Sequence, residues 1–204
     1  MKKSLLALSL ALFGFASSAQ VIEYPEVDTT FYHTYDVQAN LLGAFNGNYS
    51  MYLGWNFGNN SSLGVNGGYL SQSGEFDRLR EGFYVAPEYR YFFGSKDTRN
   101  RGFFIGPYVK YSQGFDNNRL HAEETPTDTI IIPYNMNYQR LSVGANVGLV
   151  NIPKGRFIFS VWAGFGAHVW REEDFTIDTD TYTLEDEFQD RFDARLEVGV
   201  GYRF

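Results

Sequence analysis

The sequence predicts an all-β fold: an eight-stranded antiparallel up-and-down barrel (a meander) that crosses a membrane, with both chain ends periplasmic. Three observations predict it. Apolar residues alternate with polar or glycine residues through most of the chain, the period of a strand with two different faces. Beyond the N-terminus no stretch approaches the roughly 18 consecutive apolar residues of a membrane helix. The connections between alternating segments are turns at one end and mostly longer at the other, the asymmetry of membrane barrels.

Composition agrees. The 204 residues include 19 Phe, 15 Tyr and 21 Gly against 6 Pro, a balance that favours strands over a helical bundle. There is no cysteine, which excludes disulfides, thiolate metal sites and a cysteine nucleophile. A net charge of −7 argues against nucleic acid as a partner.

Residues 1–19 read as a secretory signal peptide. Lys2 and Lys3 form a positive start, Leu5 to Phe15 is an apolar run, and Ser17, Ser18 and Ala19 are small residues before Gln20. A run of eleven residues is too short to span a hydrocarbon core of about 30 Å as a helix. Residues 20–35, with Glu23, Glu26 and Asp28, read as a flexible periplasmic segment, and 36–204 as an outer-membrane barrel.

Eight strands are expected over 36–45, 49–57, 63–72, 82–93, 102–113, 138–150, 156–170 and 192–204. In the first seven the odd positions are apolar, as in Met51, Leu53, Trp55 and Phe57; in the eighth the even positions take over, as in Leu196, Val198 and Val200. Asn46-Gly47-Asn48 is expected as a tight hairpin turn. Alternation persists in Thr129 to Ile132, Phe175 to Ile177 and Tyr182 to Leu184, which predicts that strands six to eight continue as a ribbon above the membrane. Pro87 and Pro107 each lack an N–H, so bulges are expected there, or carbonyls turned to the lumen.

Alternation alone does not say which face meets lipid. Charge sorting does. The larger loops hold most of the chain's acids, ten of them from Glu172 to Asp193, whereas Lys96, Arg99, Arg101, Lys154 and Arg156 lie at the opposite turns. Aromatic residues also gather at strand ends: Trp55, Phe57, Tyr91, Phe93, Phe103, Phe157, Phe159, Tyr202 and Phe204 at one, Tyr69, Phe83 and Tyr111 at the other. That is the pattern of two interfacial girdles.

The last strand, Glu197 to Phe204, resembles the assembly signal of bacterial outer-membrane barrels, with Glu197, Gly199, Tyr202 and Phe204 at the matching positions. The resemblance implies the barrel assembly machinery as a partner. Ala86 to Phe93 followed by Gly106 to Tyr111 is similar to a hairpin of a small eight-stranded bacterial outer-membrane β-barrel family of unknown function. Asn40 to Gly43 before a Gly-Asn turn is similar to that family's first hairpin. This resemblance spans most of 36–204 and implies an outer-membrane barrel but no activity.

Eight strands enclose a lumen that side chains can fill. The expected lumen carries Glu88 and Glu197 against Arg90, Lys110, Arg140, Arg195 and Arg203, an excess of three positive charges. It reads as a structural plug, with Glu88 and Lys110 close enough to pair; a narrow anion pore is the alternative. A lipid-modifying hydrolase would need a Ser, a His and an acid. His168 faces inward on the seventh strand, Ser160 is too far along the same strand, and Ser142 across strands stays open. Asp178-Thr179-Asp180-Thr181 begins like a calcium loop but lacks its Gly and final Glu. Loop 171–193 is therefore expected to be a solvated acidic surface, with divalent cations bridging to outer-membrane lipid, or a surface partner, as the sharper alternatives. No cofactor motif is present.

Overall fold

The computed structural model describes residues 34–58, 60–73, 79–93, 100–124, 129–152, 156–177 and 191–204; for 118–124, 129–133, 175 and 177 it describes the backbone alone. The chain divides into Met1–Phe31, outside the described residues, and the barrel unit Tyr32–Phe204. The expected signal peptide and most of the N-terminal segment therefore lie outside the described residues.

The eight strands are β1 (Thr34–Asn40), β2 (Asn48–Phe57), β3 (Ser61–Ser73), β4 (Leu79–Phe93), β5 (Gly102–Glu124), β6 (Thr129–Asn151), β7 (Phe157–Ile177) and β8 (Phe192–Arg203), with a one-turn helix α1 (Leu41–Phe45) after β1. Each strand pairs antiparallel with the next, and β8 pairs back with β1, closing the ring. Among the described residues no helix is long and apolar enough to cross a membrane.

One circuit of the paired positions starts at Phe159 on β7 and passes Val200, Ala39, Met51, Gly67, Val85, Tyr111 and Leu141. It returns to β7 at Trp170. That climb is the stagger a closed ring of tilted strands must have. Among the described side chains, even positions of β2 to β6 turn inward and odd positions outward, while in β8 odd positions turn inward, as the alternation predicts. Short connections 58–60, 94–101 and 152–156 share one end of the barrel with both its termini, the turn end. The connections before β2, β4, β6 and β8 form the loop end.

Four expectations need correction. Residues 41–45 do not continue β1. The Asn40 side chain accepts from the Gly43 amide and starts α1. The turn that follows is a helix exit rather than a hairpin: Gly47 has φ 69°, and its carbonyl accepts from Ser71 at 2.7 Å. At Pro87 and Pro107 there is no bulge. The β4–β5 register is the same before and after them, and only the pairs of Ala86 with Lys110, Pro87 with Val109, Tyr89 with Pro107 and Arg90 with Gly106 drop out of the ladder. Gly106 lies there against the Tyr89 carbonyl, so close that a side chain at 106 would collide with it. Finally, the extended ribbon starts one strand earlier than expected, with β5 extended along with β6 and β7. The long connection expected over 114–137 is mostly paired strand, because Arg119 to Glu124 pairs with Thr129 to Tyr134. Tyr182 to Leu184 lies outside the described residues.

A candidate functional site in the barrel interior

The interior is layered. At the turn end Arg203 grips Asp36 with two parallel bonds of 2.7 Å, a fork-on-carboxylate geometry, and donates to the Asn100 carbonyl at 3.2 Å. Asn100, at φ 53°, donates to the carbonyls of Gly58 and Ser61 and so ties two turns together. Above this lies an apolar cluster of Phe92, Phe104, Val150, Ile152, Ile158 and Trp162. Phe92, Phe104 and Trp162 lie on even positions, where the alternation leads one to expect small or polar residues.

The central layer is charged. Arg90 is sandwiched against the Tyr52 ring at 3.7 Å and the Phe104 ring at 4.7 Å, and its Nε donates to Glu88 at 2.6 Å. The other Glu88 oxygen accepts from Asn146 at 2.7 Å, and Asn146 in turn accepts from Arg195 at 3.2 Å. Arg195 stacks over Tyr108 at 4.0 Å. Tyr108 donates to Asp193 at 2.8 Å, and Asp193 pairs with Lys110. Glu197 accepts from both Asn66 and Tyr84. Nearer the loop end Arg140 pairs with Glu173 at 2.6 Å, beside a cluster of Tyr134, Met136 and Tyr138.

The structure thus turns Glu88, Arg90, Lys110, Arg140, Arg195, Glu197 and Arg203 into the interior, but it pairs them differently from the sequence expectation. Glu88 lies opposite Tyr108 and engages Arg90; Lys110 reaches instead to Asp193. Asp36, Asp116, Asp193 and Glu173 are interior acids that the expectation lacks, and Arg80 is an interior base beside Tyr138. With them the expected excess of three positive charges shrinks. Breaking any such buried pair leaves an uncompensated charge, which costs far more than the pair contributes.

Glu173 reaches the interior through a bulge. Leu141 pairs with Trp170 but Ser142 with His168, so Val169 is an extra residue and the faces of β7 exchange beyond it. The same irregularity brings Ser142 Oγ within 2.8 Å of His168 Nδ1. The serine that stayed open in the sequence is therefore His168's neighbour. Ser142 has 0% of its surface exposed, and Asp193 and Glu173 are each committed to a base. Among the described residues there is no group of three or more His, Asp or Glu placed to hold a metal. The calcium-like stretch from Asp178 lies outside the described residues.

The outer face differs. Leu53, Val65, Val109, Val143 and Val147 are exposed along mid-strand. At the turn end aromatic rings touch in a belt: Trp55 with Phe57, Phe93 with Phe103, and Phe157 with Tyr202. The C-terminal residues matched to the assembly signal occupy the closing strand. Gly199 faces Asn40 across the seam and Tyr202 faces Val37.

Fold and site together define a closed antiparallel β-barrel with a charged, side-chain-filled interior and an apolar exterior. The chain belongs to the family described as "Protein of unknown function (DUF3575)", whose model matches residues 7–194. No curated protein matches the chain. Among solved structures it is similar to a major outer membrane protein from Thermus thermophilus. The identity is 11% and the TM-score 0.43, over 84% of this chain and 98% of that one.

Proposed function

We propose that this protein is an outer-membrane β-barrel with a plugged lumen, whose role is structural or one of surface interaction through its acidic loop end. One observation carries the reading: a closed ring whose buried face holds the ion pairs and whose exposed face is apolar, with an aromatic belt at its turn end. In water that distribution would expose a large continuous apolar surface. In a bilayer the ring satisfies every strand edge, and the apolar face meets lipid. The basic turn end then faces the periplasm and the acidic loop end the outside. Outer-membrane lipid and the assembly machinery are the partners this reading requires; divalent cations at loop 171–193 stay a proposal. Against a pore stands the apolar cluster across the turn end. The test is gel mobility of the protein from outer membranes before and after boiling. A folded barrel shifts on boiling; an unshifted protein free in the periplasm overturns the reading.

The Ser142–His168 contact supports a second reading, a lipid-modifying hydrolase. Its serine lies inside the wall, away from the lipid face. Phospholipid turnover that is present in the native protein and lost in Ser142→Ala and His168→Ala would establish it.

A further inference from the structure

The outer wall holds a groove of about 340 Å³ at the loop end, spanning β3 to β7. Tyr69, Phe83 and Phe115 supply aromatic faces, and Glu81, Glu172 and Asp174 supply carboxylates. Gln113 and Gln139 lie between, each with Oε1 near the Tyr111 hydroxyl, at 3.1 and 3.0 Å. Tyr111 thus donates toward both amide oxygens. The lining residues include no lysine or arginine.

We propose that this groove binds the sugar headgroup of a glycolipid in the surrounding leaflet. The proposal rests on the membrane reading above. Aromatic faces pack against the C–H faces of sugar rings. Carboxylates accept from hydroxyls, and amides both donate and accept. A phosphate headgroup fits badly, because among the described lining residues no base meets it and three carboxylates repel it. The pairing of strands places the groove at the edge of the apolar wall. Phe83, Gln113, Gln139 and Glu172 are level across the register, and two residues along each strand come Val85, Tyr111, Leu141 and Trp170. Beyond these lie Val109 and Val143, both exposed. A ligand with its head in the groove would therefore lay its acyl chains on that wall. Four strand spacings of about 4.8 Å make the groove long enough for more than one ring.

The test uses the full mature barrel in phosphatidylcholine nanodiscs, first checked for the boiling shift. Lipids with maltosyl, digalactosyl or glucosaminyl heads are titrated against tryptophan emission, since Trp170 borders the groove. The expected result is a saturable change with at least one of these lipids. It is absent in Trp170→Phe and requires roughly tenfold more lipid in Phe83→Ala. Free maltose acting equally well overturns the membrane source, and an equal response to phosphatidylethanolamine overturns the sugar. A shifted, folded barrel that responds to none of the sugar lipids overturns the proposal. A protein without the shift fails the membrane reading instead.

Discussion

Tyr108 and Val109 are neighbours in the chain and live in different surroundings. Tyr108 is 1% exposed, its hydroxyl bonded to Asp193 and its ring under Arg195; Val109 is 43% exposed and touches whatever surrounds the barrel. The inner face is specific: Glu88, Arg90, Arg140, Glu173, Asp36 and Arg203 each have a partner at a fixed distance, so substitutions there should be costly. The outer face needs only to be apolar, so it should tolerate change of shape but not of charge. One strand satisfies both demands because its side chains alternate.

The largest effect is expected inside. Glu88→Ala leaves Arg90 buried among Tyr52, Phe104 and Trp162 without its carboxylate. It should cost about 3–5 kcal/mol in urea unfolding from lipid vesicles. Replacing both partners by apolar residues, Glu88→Leu with Arg90→Met, should recover most of that loss. If the double variant is no better than the single, the cost is packing rather than charge. On the outside Val109→Arg, at mid-strand, should cost about 2–4 kcal/mol, whereas Tyr35→Arg, exposed near the turn end, should cost about 0–1 kcal/mol. Equal costs at the two positions would remove the apolar band. The smallest internal change is Ser142→Ala. It deletes one hydrogen bond to His168 and should cost about 0.5–1.5 kcal/mol.

The two faces also differ in how much of them the sequence could carry. Strand number, meander order and the change of parity in β8 were legible, because each follows from period-two alternation. Asp36 and Asp193 were legible too: they sit on inward positions of expected strands and were simply not counted. Glu173 was not, since one extra residue at Val169 exchanges the faces of β7, and alternation before the bulge says nothing about it. Helix α1 was hidden for a similar reason. Leu41, Gly43 and Phe45 continue the odd-position pattern, and only the Asn40 side chain, by capping Gly43, ends the strand. Partner choice lay further out of reach. Glu88 and Lys110 are on adjacent strands, but a carboxylate that also has Arg90 two residues away on its own face takes the nearer base. The groove draws on five strands, so no single segment announces it.

The central claim is that the charged face points into the barrel and the apolar face into lipid. The chain has no cysteine, so single cysteines carrying a nitroxide can be placed from 141 to 150 on β6 without background labelling. In vesicles, collision with dissolved oxygen should be high at the outward sites Leu141, Val143, Ala145, Val147 and Leu149. It should be low at the inward sites between them, with little access to a water-soluble nickel chelate at either set. Strong chelate access at Val143, Ala145 and Val147, with no alternation in the oxygen response, would contradict the account.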